Sequence, residues 1–336
     1  MGRQIAFVFD LNKCIGCQTC SVACKVLWHQ DAEGVENQWW CSVNTQPGRG
    51  TPRDWEAMGG GYDDAGNLST GRLPTPEEFG GAAGYNFEEV YTSSSFERLR
   101  PKPGEPEWAM NWDEDEGAGE FPNAYFYYMP RICNHCSRPA CLEACPTQAL
   151  YKTEDFGLVL RDETRCQGKQ ACSRACPYKK VYFNQVARIS QHCIGCFPRL
   201  EKGVAPACVR QCPGRAMFVG YRDEQDSAVH KLVDVHGVAL PHLPGFNTEP
   251  NVFYVPPLSP FRARPDGSIE EGQRRIPLDY LESQFGPGVG AAIQKLETEM
   301  ARRKRGEASK LMDVLIGYRW EEFLGPFTQD PAEITW

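Results

Sequence analysis

Sixteen cysteines, fifteen of them in four short groups, constrain this 336-residue chain more than any other feature. The groups read CIGCQTCSVAC from Cys14 to Cys24, CNHCSRPACLEACP from Cys133 to Pro146, CQGKQACSRACP from Cys166 to Pro177, and CIGCFPRLEKGVAPACVRQCP from Cys193 to Pro213. Only Cys41 stands alone. A chain of this length can bury a core without disulfide staples. Clustered cysteines at fixed spacing therefore read as metal ligands before they read as disulfides.

The spacing narrows the metal. The first group is C-x2-C-x2-C-x3-C, the run of two-cluster ferredoxins, in which three cysteines hold one cubane and the fourth reaches across to its neighbour. A tight loop with small residues such as Gly16 and Ala23 lets three thiolates converge on one face of a cube. The second group, C-x2-C-x4-C-x3-C-P, and the fourth, C-x2-C-x11-C-x3-C-P, keep the end pairs and lengthen the middle loop. Structural zinc uses a closed tetrahedron, commonly of two separated C-x2-C pairs, and does not account for the repeated C-x3-C-P ending. A zinc-stabilised scaffold is the alternative from another functional class. The third group departs from the pattern, because Lys169 stands where the second cysteine belongs. An ammonium is no iron ligand, so the expected occupant is a [3Fe-4S] cluster. The alternative is a [4Fe-4S] cluster whose fourth iron takes water or another ligand.

The crossing rule of two-cluster ferredoxins assigns ligands. One [4Fe-4S] cluster takes Cys14, Cys17, Cys20 and the crossed Cys212. A second takes Cys193, Cys196, Cys208 and the crossed Cys24. A third takes Cys133, Cys136, Cys141 and the crossed Cys176. The [3Fe-4S] cluster takes Cys166, Cys172 and the crossed Cys145, with Lys169 at the vacant ligand position. Each grouped cysteine is used once, and Cys41 is left as a buried free thiol or an interface residue. His135 and His192 sit beside ligands, where an imidazole can donate a hydrogen bond to sulfur or simply fill space. Arg131, Lys152, Lys179 and Lys180 would offset the negative charge of thiolate-bound clusters.

The rest of the chain frames these groups. Net charge is −8, with no broad basic excess to neutralise phosphates, so nucleic acid is not an expected partner. No apolar run is long enough to cross a bilayer, and the opening MGRQIAFVFDLNKC carries too short an apolar run for a signal peptide. There is no nucleophile–base set and no nucleotide loop, so no catalytic residues are expected. Strands are expected over residues 4–10, 124–132 and in RAMFVGYRD, with a hairpin turning at Asp155-Phe156-Gly157 and a second over KVYFNQVARISQHC. A helix is expected behind the first cysteine group. Three more are expected over PLDYLESQF, over 289–305 with Ile293, Leu296 and Met300 on one face, and around Leu311, Met312, Leu315 and Ile316. The expected fold is α+β. Residues 1–28 with 185–222 form an outer ferredoxin-like unit, and 125–184 an inner one. Residues 29–124 are a long irregular insertion that docks a partner or covers the cluster core, and 223–336 an extension with a helical arm.

Several strings resemble the iron–sulfur β subunits of molybdenum enzymes in the dimethyl sulfoxide reductase superfamily: DLNKCIGCQTCSVACK at 10–25, NWDEDEG at 111–117, RICNHCSRPAC at 131–141, CPYKKVYFN at 176–184 and YVPPLSP at 254–260. The resemblance is to the branch holding ethylbenzene and dimethylsulfide dehydrogenases and selenate, chlorate, perchlorate and nitrate reductases. It departs from the nitrate reductases at Lys169, where they resemble one another in having tryptophan. The resemblance implies an electron-transfer subunit that does no substrate chemistry itself. Such a subunit relays electrons between a molybdopterin-bearing α subunit, nearest the clusters at Cys14 and Cys193, and a haem b γ subunit or membrane anchor at the [3Fe-4S] end. It also implies a periplasmic home reached by co-export with a twin-arginine partner, the alternative being the cytoplasmic face of the inner membrane. A formate dehydrogenase or hydrogenase-type complex is the runner-up assembly, although four full quartets are the commoner pattern there.

Overall fold

The computed structural model describes residues 3–29, 32–35, 38–75, 77–79 and 116–334. Trp108, Trp112 and most of the acidic DEDE run of the insertion lie outside them. The first strand, β1 (Ile5–Asp10), is buried along its whole length. That matches an apolar run without polar alternation, as expected for a strand covered on both faces. It delivers the chain to the first cysteine loop and to α1 (Thr19–His29). Within the insertion, β2 (Ser42–Gln46) is followed by short 3-10 turns at Trp55–Met58 and Glu77–Phe79. Strand β3 (Tyr127–Arg131) then returns antiparallel to β2, with Ser42 opposite Arg131 and Gln46 opposite Tyr127.

Next comes a unit that occurs twice. Helix α2 (Ala140–Glu143) precedes the hairpin β4 (Leu150–Lys152) and β5 (Val159–Arg161). Helix α3 (Ala171–Ala175) precedes the hairpin β6 (Val181–Asn184) and β7 (Ile189–His192). Helices α4 (Phe197–Glu201) and α5 (Ala207–Arg210) carry the fourth cysteine group into β8 (Met217–Tyr221). Helix α6 (Ala228–His230) runs on into a π turn, and β9 (Leu240–Pro241), β10 (Val252–Val255) and the hairpin β11 (Phe261–Ala263) and β12 (Ile269–Arg274) follow. The described chain closes with α7 (Leu278–Phe285), α8 (Val289–Lys304), α9 (Lys310–Ile316) and α10 (Glu321–Leu324).

The central sheet has the order β8-β1-β10-β9. Strand β1 runs antiparallel to β8 and parallel to β10, so Phe7 faces Val219 on one side and Val252 on the other. The sheet divides the interior. Ile5, Phe7 and Phe9 point to the side that holds Cys20, Cys24, Cys193, Cys208 and Cys212. Ala6 and Val8 point to the opposite side, among Phe218, Leu296, Leu311, Leu315 and Phe323. The apolar stripes of α8 and α9 are thus spent on the chain's own sheet. Of the expected α8 face, Leu296 is buried and Ile293 partly so, but Met300, in the turn next to the basic helix end, is exposed. The 223–336 segment is more than an arm, since β9 and β10 complete the sheet.

Candidate metal centres

The sheet explains how distant cysteines meet. Antiparallel β1 and β8 pair Phe9 with Met217, so the chain enters the first cysteine group beside the point where it leaves the fourth. Cys14, Cys17, Cys20 and Cys212 line one cavity, with an empty space of about 300 Å³. Helix α1 sets Cys20 and Cys24 one turn apart, and α5 leads from Cys208 to Cys212 at the same spacing. Each pair therefore spans two cavities, and Cys24, Cys193, Cys196 and Cys208 line the second, of about 330 Å³. A third, of about 420 Å³, is lined by Cys133, Cys136, Cys141 and Cys176. The remaining three grouped cysteines lie together, since the buried Cys172 thiol is influenced by Cys145 and Cys166. Lys169 is exposed on the rim, its carbonyl accepting from Arg174 Nη2 at 3.4 Å.

Within the loops, backbone conformation aims N–H groups at sulfur. The third residue of the opening C-x-x-C or C-x-x-K turn of every group has positive φ: Gly16 at 69°, His135 at 41°, Gly168 at 64° and Gly195 at 63°. Gly16 is also fixed by space, because a Cβ there would lie 2.7 Å from the Tyr128 ring. The turned-back amide of Gly195 donates to Cys193 Sγ at 3.4 Å, and those of Gly16 and His135 donate to Cys14 and Cys133. A second motif follows two of the Cys-Pro endings, where Ala149 N–H and Ala216 N–H reach Cys145 Sγ and Cys212 Sγ, each at 3.3 Å. Trp28 Nε1–H adds a side-chain donor to Cys196 Sγ at 3.4 Å. Sequence reading missed Trp28. Its signal was its place four residues beyond Cys24 on one helix, a spacing that puts both on one face.

The electrostatics ask for a cationic occupant. Burial pushes the thiols of Cys14, Cys136 and Cys193 up to about 12, and holds those of Cys24, Cys133, Cys141 and Cys208 well above the usual range. Neighbouring thiolates add to each shift by repulsion. Four thiolates around one cavity are tolerable when metal charge sits between them. Among the described residues, no three His, Cys, Asp or Glu side chains close on a point as a single ion demands. A tetrahedral zinc site needs four ligand atoms within about 2.3 Å of one centre. Rings of thiols around cavities fit a polynuclear group instead.

The expected charge-offsetting residues lie where such a group would need them. Lys180 is buried and lines the Cys133 cavity, its Nζ donating to Trp39 O at 3.0 Å and Ser42 Oγ at 3.1 Å. Arg131 is buried over the Trp55 ring and donates to Asn44 Oδ1, Thr51 O and Tyr178 O. Lys179 donates to Arg174 O, and Lys152 to Gln4 Oε1, His135 O and Cys136 O. Every one of these acceptors is neutral. Cys41 is fully buried and shares a hydrogen bond with Cys20, whose thiol this bond holds below its usual value.

Comparison with known proteins agrees with this chemistry. The 4Fe-4S dicluster domain family matches residues 124–222. The chain is 52% identical over 321 residues to selenate reductase subunit beta of Thauera selenatis, covering 94% of this chain and 97% of that one. It is 51% identical over 322 residues to chlorate reductase subunit beta of Ideonella dechloratans, with 94% and 97% covered. It is 49% identical over 320 residues to dimethylsulfide dehydrogenase subunit beta of Rhodovulum sulfidophilum, with 95% and 98% covered.

Proposed function

The chain belongs to the iron–sulfur β-subunit family of dimethyl sulfoxide reductase-type molybdenum oxidoreductases, and from that membership we infer that it is the electron-transfer subunit of such a complex, with four clusters. The observation that carries the inference is the composition of the three cavities. Each is ringed by three cysteines of one group and one from another, at the spacing by which paired cubanes share ligands. Cys14, Cys17, Cys20 and Cys212 would hold one [4Fe-4S] cluster. Cys24, Cys193, Cys196 and Cys208 would hold the next, and Cys133, Cys136, Cys141 and Cys176 the third. Cys145, Cys166 and Cys172 would hold a [3Fe-4S] cluster, with Lys169 exposed at the missing ligand. Iron–sulfur clusters supply one-electron carriage at fixed positions. The chain's own part is to fix those positions, exclude water, and set charge through N–H donors and buried cations.

The same layout supports a reading of the partners. Cys17 is exposed, and Ile15, Val22, Val26 and Leu27 of the same segment are exposed apolar side chains. This favours the molybdenum-bearing catalytic subunit docking on the first-cluster side. A haem b γ subunit or membrane anchor would meet the Cys145–Cys166–Cys172 end. Among the described residues, no helix is long and apolar enough to cross a membrane. We further propose a periplasmic location, reached by co-export with a twin-arginine partner.

The test is metal analysis with EPR on anaerobically purified complex, before and after dithionite. The expected result is about 15 irons per chain and a [3Fe-4S] signal in the oxidised state. Zinc in place of iron in oxygen-protected material would end the electron-transfer reading. About 16 irons with no oxidised-state signal would show a complete fourth cube.

A further inference from the structure

Among the four cluster loops, only one carries a side chain at the left-handed third position. Gly16, Gly168 and Gly195 occupy it in the others, whereas His135 occupies it in CNHC, at φ 41°. An L-residue is strained in that region, so the imidazole is kept at a conformational cost that glycine would avoid. The ring is almost fully buried. Its Nδ1 accepts from Val159 N–H at 3.1 Å, which leaves the ring proton of the neutral imidazole on Nε2. That Nε2–H is buried and has no hydrogen-bond partner among the described residues. It faces a different cluster loop, since a Cβ placed on Gly195 would lie 3.3 Å from it. Gly195 lies between Cys193 and Cys196, which line the cavity of the other unit.

The two units touch at this point. The Cys133 amide donates to the Cys193 thiol, and the His135 and His192 rings meet edge to face, 6.4 Å between centroids. His192 is held differently. Its Nδ1–H donates to Cys193 O at 2.8 Å, so in the neutral ring Nε2 is a lone pair and offers no proton to sulfur. The carbonyl of His135 is fixed by Asn251 Nδ2 and by Lys152 Nζ, so the ring is clamped from both ends.

We propose that His135, from the loop of one cluster, donates its Nε2–H to a sulfur of the neighbouring cluster held by Cys24, Cys193, Cys196 and Cys208, and so acts as the positioning residue that sets the reduction potential across the junction of the two units. The proposal rests on the cluster-holding role given to that quartet. A donor to cluster sulfur stabilises the more negative, reduced state, so it raises the potential. A buried donor left without any acceptor is otherwise an unexplained cost.

The experiment uses the intact complex. Iron is counted first in the wild-type protein, and a zinc or iron-free result there sinks the cluster reading itself, apart from this proposal. With iron present, redox titration followed by EPR compares wild type with His135→Phe, which keeps a ring but no donor. His135→Leu serves as a smaller second variant. Loss of a signal in Cys196→Ser identifies the cluster concerned. The expected result is full iron and a lower midpoint potential for that cluster alone. An unchanged midpoint, or an equal fall in all clusters, overturns the proposal. Should neither variant load iron, pulsed EPR on wild-type protein with [15N]histidine decides. A weak nitrogen coupling to that reduced cluster is expected, and its absence overturns the proposal.

Discussion

Lys169 is the residue on which the cluster inventory turns. Its position matches Cys17, Cys136 and Cys196 in the sister loops, yet it is exposed, and its carbonyl accepts from Arg174. Among the described residues the lysine side chain has no partner, so a thiolate should be accepted there. We expect Lys169→Cys to abolish the oxidised [3Fe-4S] signal and raise iron from about 15 to about 16 per chain. An unchanged signal and iron count would mean that the vacancy is set by something other than the missing ligand. The cysteine groups were legible in the sequence as candidate ligands because each group is local and its spacing suits a cube. His135 was legible only as a residue beside ligands. The signal that marks it out is the comparison of four third positions, Gly, His, Gly and Gly, and its meaning required the ring proton's location, which depends on Val159, 24 residues away.

At the scale of elements, β1, β3, β8, the two hairpins of the repeated unit and the C-terminal helices α7 to α9 were legible by periodicity, but their partners were not, and β2 and β9 to β12 were not anticipated. Strand β1 reads as a short apolar run, and its parallel pairing with β10, across residues 7–10 and 252–255, is a long-range register that no local pattern encodes. The apolar stripe of α8 likewise fits either a partner-gripping arm or a core helix. The structure turns Leu296 into the layer formed by Ala6, Val8, Leu311 and Leu315, on the side of the sheet away from the cysteines. Removing a buried leucine costs about 2–5 kcal/mol through lost transfer energy and the cavity left behind. Leu296→Ala should therefore lower the unfolding free energy by an amount in that range, read out as a lower thermal or denaturant midpoint. Protein that remains folded should keep its EPR signals and its partner subunits. Loss of the partners with unchanged stability would instead make α8 a docking arm.

For the molecule as a whole, the sheet is a partition. One side holds the cysteines of the first and fourth groups together with Leu281, Phe285, Val289 and Leu324 of the C-terminal helices, and the other packs against Leu296, Leu311, Leu315 and Phe323. On the cysteine side, α1 buries Cys20 and Cys24 inward while Val22 and Val26, one turn apart, are 45% and 55% exposed, and Ile15 and Cys17 of the same segment are exposed too. Single exposed apolar residues are ordinary on any surface, but several on one short segment that also carries an exposed candidate ligand are what a partner's interface covers. Charges placed in such an interface cannot be solvated once it is closed. The double variant Val22→Asp with Val26→Asp should thus lose the catalytic subunit in co-purification, while the separated chain keeps its iron and its EPR signals, because neither side chain lines a cysteine cavity. If the chain is exported only by travelling with that partner, fractionation should find wild type in the periplasm and the variant in the cytoplasm. A variant that still co-purifies would move the docking face elsewhere. A dissociated variant that still reaches the periplasm would mean that export does not depend on this contact.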